Sequence, residues 1–273
     1  MNYRHAFHAG NHADCLKHAL LVSLVMALAR KPAPFAVLDT HAGAGAYDLA
    51  GPEASRGGEA EGGIGRLRAD PPPALARWLA LVEAAGPLHP GSPALIAALL
   101  RPGDRLVCCE LHPEEHRALR RRLGAIPGVE IHRRDGWEAL RGLLPPRERR
   151  GLVLIDPPFE RPGEFERLAA GLRTVRGRFA GGMFAAWYPI KHRAPLRAFH
   201  TALREGGLRD LLAAELWLRE PLDPARLNGS GLLVGNPPWG FEAEAGAILA
   251  ALHARLCGGE AGSGWAVSRL AEE

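Results

Sequence analysis

The sequence contains little lysine, little cysteine and no long apolar run. Only three of its 34 basic residues are lysine, and its four cysteines form neither a CxxC pair nor a disulfide-like spacing. This usage predicts reduced thiols and excludes a small domain held together by disulfides. No apolar run reaches the roughly 18 residues of a membrane span, and the polar, histidine-rich segment 1–18 differs from a signal peptide. These absences predict a cytoplasmic protein without a membrane span.

The residues that are present suit one large globular domain. The chain has 273 residues, of which 47% are hydrophobic and 23% are charged, so it can bury a substantial core. Its net charge of +4 rests on arginine, which is clustered in 117–122 and 147–150. Such clusters suit phosphate contacts, but they also coat solvated helix faces. Charge alone therefore leaves nucleic-acid binding open.

An apolar run at 152–155 is typical of a buried strand and stops abruptly at Asp156–Phe159 (DPPF). Two consecutive prolines cannot donate to a sheet, and they disfavour helix at the residue before them. The chain must leave the sheet here, with a carboxylate and an aromatic ring at the C-terminal edge of the strand. Ligands bind at that edge in open parallel sheets, so we interpret Asp156–Phe159 as the catalytic clamp.

An earlier strand, 35–38, runs into the glycine-rich segment 39–46 (DTHAGAGA). A strand followed by a glycine turn that opens a helix is typical of the nucleotide-binding corner of a doubly wound sheet. Glycine lets the backbone approach a ligand more closely than any Cβ would permit. Only Gly43 and Gly45 fit the GxGxxG pattern, so a purely structural tight turn explains the segment equally well.

The order of the elements predicts a single α/β domain over 1–273. An N-terminal tail and helix occupy 1–30, and the alternation of strands and helices breaks between about 49 and 92, which indicates an inserted, mostly helical subdomain. Elsewhere seven strands alternate with helices, and the last two strands are adjacent. This pattern favours a Rossmann-like, mostly parallel seven-stranded sheet with helices on both faces.

Three acidic residues follow consecutive predicted strands: Glu110, Asp135 and Asp156. Because the carboxyl ends of parallel strands meet at one edge, we expect all three to face one crevice with the glycine turn. A carboxylate at Glu110 suits the two hydroxyls of a ribose, and Asp135 suits the amine of an adenine. One such acid alone would more often cap a helix or lie on the surface.

The clamp suits a reaction at an aromatic amine. The amino group of adenine is a poor nucleophile because its lone pair is delocalised into the ring. The Asp156 carboxylate and a main-chain carbonyl in the Pro157–Pro158 turn can accept its two hydrogens and favour a tetrahedral nitrogen. Phe159 can stack on a base that has been flipped out of its helix. With a sulfonium methyl donor in the glycine crevice, the expected reaction is an in-line methyl transfer.

The order of these motifs resembles the class I S-adenosylmethionine-dependent methyltransferases of the adenine-N6 type. More closely, it is similar to the bacterial RlmJ family, which methylates adenine N6 in large-subunit ribosomal RNA. The motifs that carry this similarity run from residue 3 to about residue 239, and they read FHAGNHADCLKH, LDTHAGAG, PGSP, LIDPPF and NPPW.

The resemblance implies a role for each matching residue. It places Asp156, Pro157 and Phe159 in the catalytic clamp, and it assigns Tyr3, with Phe159, to the RNA substrate. The family usually has Tyr at the position of Phe159, a change that keeps the stacking ring and loses the hydroxyl. The residues expected to bind S-adenosylmethionine are His18, His41, Gly43, Ser92, Glu110, Asp135, Gly136 and Asp156. The expected partner is ribosomal RNA, with no metal and no membrane, and the protein is expected to be a monomer.

Two local alternatives compete with parts of this interpretation. The histidines of the N-terminal segment invite a metal site, but the spacings of His5, His8, His12 and His18 match no known zinc pattern. The segment 236–239 (NPPW) resembles the clamp of DNA amino-methyltransferases. It follows the last predicted strand, however, where a structural hairpin turn is the simpler explanation.

Two other functions share features with this sequence. A DNA adenine-N6 methyltransferase uses the same site residues but normally carries a larger target-recognition region than the insertion found here. An NAD-dependent oxidoreductase uses the same glycine corner, yet it has no need for DPPF. Its ribose-binding acid lies about 20 residues after the glycines, whereas the first acid at a strand end here is Glu110.

Overall fold

A computed structural model of the chain describes residues 5–272, and a twisted β-sheet lies at its centre. Strands β2 and β3 form a separate antiparallel pair, and the other strands of the described residues form one eight-stranded sheet. In chain order the strands are β1 Ala36–Asp39, β2 Ala46–Tyr47, β3 His89–Pro90, β4 Arg105–Cys109, β5 Val129–His132, β6 Gly151–Ile155, β7 Met183–Ile190, β8 Leu211–Trp217, β9 Gly229–Gly235 and β10 Gly264–Ala271.

The large sheet has the strand order β10-β8-β9-β7-β6-β1-β4-β5. The strands from β5 to β7 in this order run parallel, whereas β9, β8 and β10 add to the β7 edge as antiparallel neighbours. Every residue of β1 and β6 is buried, as expected for parallel strands covered on both faces. The mostly parallel Rossmann-like sheet is therefore confirmed.

The predicted strand count of seven is wrong by one. The eighth strand, β10, lies at the edge of the sheet and pairs only with β8. Its residues are half-buried or exposed, and it follows a loop rich in glycine. It therefore lacks the continuous apolar run that marks the buried strands.

Helices cover both faces of the sheet. The described helices are a 3₁₀ turn His5–Phe7, α1 His12–Ala29, α2 Pro52–Gly57, a π turn Glu61–Gly65, α3 Arg66–Ala69, a 3₁₀ turn Pro73–Leu75, α4 Ala76–Ala84, α5 Ser92–Ala97, α6 Pro113–Leu123, α7 Gly136–Gly142, α8 Glu164–Arg178, α9 Arg193–Glu205 and α10 Phe241–Leu256. Helices α1, α4, α5 and α10 share one apolar core with the sheet, and α7, α8 and α9 share the core on the other face.

Helix α1 is buried on nearly all sides and packs against α10, β9 and α5. The Asn11 side chain caps its first turn by accepting hydrogen bonds from the Ala13 and Asp14 amides at 2.9 Å each. By length and mean hydropathy α1 also meets the criterion for a membrane span, although the sequence shows no uninterrupted apolar run of that length. Of its 18 residues 78% are buried inside the fold, as in a core helix.

The N-terminal segment is held against the stretch predicted as an inserted subdomain, 49–92. The Ile64 amide donates to Gly10 O at 2.9 Å, and a Cβ at Gly63 would lie 2.1 Å from the same oxygen, so only glycine permits this close approach. Glu59 accepts hydrogen bonds from Asn11 at 2.8 Å and pairs with His8 at 3.0 Å. These contacts fix the start of α1 beside the C-terminal edge of the parallel strands.

Candidate active site

A cavity of about 460 Å³ opens at the C-terminal edge of the parallel strands. Ten of the eleven residues that the sequence analysis assigned to the site lie in its wall. They are His18, His41, Gly43, Ser92, Glu110, Asp135, Gly136, Asp156, Pro157 and Phe159. The eleventh, Tyr3, lies outside the described residues. We call the wall formed by His18, His41, Gly43, Ser92, Glu110 and Asp135 the donor side, and the wall formed by Pro158, Phe159, Glu164, Trp187, Pro189 and Lys191 the acceptor side.

The glycine turn and Glu110 form one hydrogen-bonded unit. Gly43 N donates to Glu110 Oε2 at 2.8 Å, and His112 N donates to Glu110 Oε1 at 2.7 Å. Gly43 has φ +61°, and a Cβ there would lie 2.2 Å from the Tyr47 hydroxyl, so this position requires glycine. Burial raises the pKa of Glu110, and the two amides oppose that rise. The carboxylate is thereby fixed at the crevice on the end of β4.

A fully buried aspartate that sequence reasoning did not assign lies behind the donor side. Asp39 accepts hydrogen bonds from Ser92 Oγ at 2.7 Å and from the His41 amide at 3.3 Å. It thus connects the end of β1 to the first residue of α5. Burial raises the pKa of Asp39 to about 7, although the Ser92 hydrogen bond acts in the opposite direction. Burial also lowers the pKa of His41 to about 4, so its imidazole is neutral at physiological pH.

Asp135 has a structural task in addition to its place in the cavity. Its Oδ1 caps α7 by accepting hydrogen bonds from Trp137 N at 2.7 Å and Glu138 N at 3.2 Å, while Oδ2 lies 3.7 Å from Arg167. The next residue, Gly136, packs so closely that a Cβ would lie 2.2 Å from Thr40 O. Asp135 is therefore both a helix cap and part of the crevice wall, and the two roles are compatible.

The clamp leaves β6 as the sequence predicts. Asp156 follows directly on Ile155, Pro157 is buried, and Phe159 has φ +49°. A positive φ is uncommon outside glycine and is often found at functional sites. The Phe159 ring lies edge-on to Trp187 with a centroid distance of 5.8 Å. Two aromatic rings thus line the acceptor side of the cavity that Asp156 also lines.

Sequence reasoning missed the ion pairs that hold this carboxylate. Lys17 Nζ lies 2.6 Å from Asp156 Oδ2 and 2.9 Å from Asp14 Oδ1, with only 5% of the lysine side chain exposed. Burial disfavours the ammonium, but Asp14 and Asp156 outweigh it and raise the pKa of Lys17 well above its usual value. Asp14 also pairs with His5 at 2.8 Å and accepts from Gly10 N at 3.0 Å.

One signal for this network was present in the sequence. Asp14, Lys17 and His18 interrupt a helix whose other faces are apolar, and charged residues are almost never fully buried unless they are paired. Their partner, Asp156, lies 139 residues away along the chain.

The resemblance to a known family is borne out by comparison with known proteins. The family model described as ribosomal RNA large subunit methyltransferase D, RlmJ, matches residues 32–269. The chain belongs to this family. The fold and the family therefore agree.

Curated relatives and one solved structure span almost the whole of this RlmJ-family chain. Ribosomal RNA large subunit methyltransferase J of Escherichia coli K12 is 38% identical over 94% of both chains, and the Haemophilus influenzae protein of the same name is 37% identical over 100% of both. The crystal structure of protein LPL1258 from Legionella pneumophila has 32% identity and a TM-score of 0.88. It covers 96% of this chain and 98% of its own.

The structure brings together three potential metal ligands that the sequence prediction of no metal did not anticipate. Ligand atoms of Asp14, His18 and His89 lie within 4.8 Å of one another, and both ring nitrogens of each histidine lack a hydrogen-bond partner among the described residues. Burial lowers the pKa of His18 well below its usual value and that of His89 to about 4. The Lys17 ammonium, however, already occupies Asp14 Oδ1, and a second cation beside it would be repelled.

The competing NPPW segment lies at the other end of the sheet from the RlmJ-family cavity. Because β9 runs antiparallel to β7 with Gly235 opposite Phe184, Asn236 emerges at the N-terminal edge of the parallel strands. The Asn236 amide group donates to Ala180 O and Gly182 O at 2.9 and 2.7 Å. This segment connects β9 to α10, so the expected hairpin turn is wrong, and its asparagine serves the fold.

We expect Asp39→Asn to remove a destabilisation of the fold that grows as the pH rises. In the unfolded chain Asp39 ionises near 3.8, whereas the folded protein retains its proton up to about pH 7. Between these values the unfolded state binds fewer protons, so Asp39 lowers the free energy of unfolding as the pH rises. Between about pH 5 and pH 8, the free energy of unfolding of the variant should rise by about 1 to 3 kcal/mol relative to that of the parent protein.

Urea unfolding of the parent protein and of Asp39→Asn, at about pH 5 and at about pH 8, measures this effect. The matched control is Asp48→Asn, which removes an exposed carboxyl near the same turn. A relative stability of Asp39→Asn that does not change with pH would show that Asp39 is ionised in both states.

Proposed function

We propose that this RlmJ-family chain transfers a methyl group from S-adenosylmethionine to the N6 amine of an adenine in large-subunit ribosomal RNA. The observation that carries the proposal is the shared cavity. In it the Glu110 carboxylate and the glycine turn of the donor side face the same space as the Asp156–Phe159 clamp. We further propose that the protein acts in the cytoplasm as a monomer, within a single domain into which residues 49–92 are inserted.

The residues of the donor side fit S-adenosylmethionine. Glu110 presents a fixed carboxylate for the ribose diol, and Asp135 lies at the neighbouring strand end for the adenine. His18 is 1% exposed, and neither of its ring nitrogens has a hydrogen-bond partner among the described residues, so it can bond to the polar methionine end of the donor. His41, Gly43, Ser92 and Gly136 complete the wall, and Tyr3 is assigned to the RNA. When bound, the donor supplies an electrophilic methyl group on a sulfonium sulfur.

The residues of the clamp prepare the amine for attack. Lys17 engages Asp156 Oδ2, so we assign the other carboxylate oxygen, Oδ1, to the first N6 hydrogen. A main-chain carbonyl in the Pro157–Pro158 turn accepts the second hydrogen. Attack of the N6 lone pair on the methyl group would form the N–C bond and break the S–C bond, and the proton lost from N6 would pass to the solvent. The clamp contributes by position and electrostatics rather than by covalent chemistry.

The acceptor side suits an extruded base of an RNA strand. Phe159 and Trp187 offer faces and edges to a flipped adenine. Arg161, Arg167 and Lys191 line the same cavity and are exposed, so the rim carries positive charge for phosphates. This rim supports a nucleic-acid substrate.

The test is transfer of radiolabelled methyl from S-adenosylmethionine to protein-free ribosomal RNA, followed by digestion and identification of the labelled nucleoside. We expect label in N6-methyladenosine from large-subunit RNA, and none in small-subunit RNA or duplex DNA. Label in duplex DNA alone would replace the proposal with the DNA methyltransferase alternative. Absence of label from all three nucleic acids would contradict the proposed substrate.

A further inference from the structure

Glu164 is a buried acid of the acceptor side to which no role has been assigned above. It is the first residue of α8, five positions after Phe159, and is 7% exposed. It lines the cavity, and its Oε2 has no hydrogen-bond partner among the described residues. The next residue, Phe165, contacts the Phe159 ring at a centroid distance of 5.1 Å, so the start of α8 lies against the ring expected to stack on the base.

A buried carboxylate oxygen that lacks a hydrogen-bond partner is unfavourable for the fold. Ionised groups are buried at a large desolvation penalty unless they are paired, and an unsatisfied buried polar atom in a native protein calls for an explanation. The N-terminus of α8 favours a negative charge in its first turn, but this does not explain why Glu164 is buried. Glu166 occupies the same turn and is exposed. A ligand that donates a hydrogen bond into the cavity would supply the explanation.

We infer that Glu164 accepts a hydrogen bond from the ribose 2′-hydroxyl of the flipped adenosine and thereby makes the enzyme prefer RNA to DNA. This inference rests on the proposed function. An adenosine within a chain has only two kinds of strong donor, since its 3′ and 5′ oxygens are esterified: the N6 amine and the 2′-hydroxyl. The amine is already assigned to Asp156 and the Pro157–Pro158 turn, which leaves the hydroxyl, the group that distinguishes RNA from DNA.

The test combines a change in the protein with a change in one atom of the substrate. The substrates are two copies of an RNA fragment that the parent enzyme methylates, one with ribose and one with 2′-deoxyribose at the target adenosine. For the parent enzyme we expect kcat/KM to fall about ten- to hundredfold on the deoxy substrate, the range for a lost hydrogen bond to a charged group. For Glu164→Gln we expect the two substrates to differ by less than about threefold.

Two controls separate substrate recognition from folding. Glu166→Gln removes an exposed carboxylate from the same turn of α8 and should keep the full deoxy penalty. Glu164→Gln should unfold at the same temperature as the parent protein or a higher one, because it removes a buried carboxylate of which one oxygen has no hydrogen-bond partner among the described residues. Its dissociation constant for S-adenosylmethionine should also be unchanged.

The possible outcomes are distinct. A deoxy penalty of equal size in the parent enzyme and in Glu164→Gln would overturn the inference and leave the proposed function intact. A weakened affinity for S-adenosylmethionine with an unchanged deoxy penalty would also overturn it, and would move Glu164 to the donor. If the parent enzyme methylates no ribosomal RNA at all, the proposed function fails and this inference fails with it.

Discussion

Methyl transfer by Asp156→Asn should be at least about 100- to 1,000-fold slower than by the parent enzyme at saturating donor and RNA, the range seen when one preorganised polar group is removed from a reacting centre. The carboxylate lies in the cavity wall, and its Oδ2 is fixed by Lys17 at 2.6 Å. Asparagine keeps the shape of the side chain but loses the negative charge that draws the amine hydrogens. Single-turnover transfer of labelled methyl measures the chemical step apart from product release.

The control for this prediction is Asp70→Asn. Asp70 is 70% exposed and forms a surface ion pair with Arg255, so its replacement should leave the single-turnover rate unchanged. A rate for Asp156→Asn within about threefold of the parent would show that the carboxylate does not accept the amine hydrogens, because even a single charged hydrogen bond contributes more than that.

Lys17→Met should lower both stability and activity. The variant leaves the buried Asp14 and the half-buried Asp156 carboxylates without their shared cation, and losing one partner of a buried ion pair typically costs about 3 to 5 kcal/mol. Asp156 also loses the contact that fixes Oδ2, so we expect methyl transfer to fall at least about 100-fold. Lys31→Met, at an exposed lysine beyond the end of α1, should change neither quantity.

The stability loss in Lys17→Met should depend on pH. Burial disfavours the ionised form of Asp14, but His5 and Lys17 outweigh it and hold the pKa of Asp14 well below 3.8. The stability that comes from this lowered pKa is present when the pH is above the pKa of Asp14 in the unfolded chain. It is lost as the pH falls through the lower pKa of Asp14 in the folded protein. Urea unfolding should therefore show the largest difference from the parent near neutral pH, and the difference should shrink below about pH 4.

A double variant separates the structural effect of Lys17 from its effect on the reaction. Asp14→Asn combined with Lys17→Met removes both charges of one pair, so much of the lost stability should return. Activity should stay low, because Asp156 still lacks its lysine. Recovery of activity together with stability would indicate that Lys17 acts only on the fold.

The residues at the ends of the parallel strands could be predicted from the sequence for a geometric reason. Each of Glu110, Asp135 and Asp156 follows a strand, and parallel strands bring their carboxyl ends to one edge whatever the length of the connection between them. The Gly43 turn and the clamp were recognisable because glycine and proline restrict the backbone locally. The structure places all of these in one cavity, and the comparisons confirm the family.

The residues that the sequence did not reveal depend on packing between distant elements. Lys17 looked like one polar residue in an apolar helix, and nothing local indicates that it meets Asp156 across 139 positions. The sequence places Asp39 in the glycine turn, yet one of its two hydrogen bonds comes from Ser92, at the far end of the insertion. Strand β10 has too few buried residues to stand out from the loop before it.

The packing of α1 against α10 has a consequence for how the protein is made. The first long helix emerges early from the ribosome, but α10 ends only at Leu256, and at about 5 to 20 residues per second that takes on the order of ten seconds or more. Throughout this interval the apolar surface of α1 has no partner on that side. Contacts between residues far apart in sequence also slow the final folding step. Helix α1, which carries Lys17, is therefore covered on this side only after α10 has been synthesised.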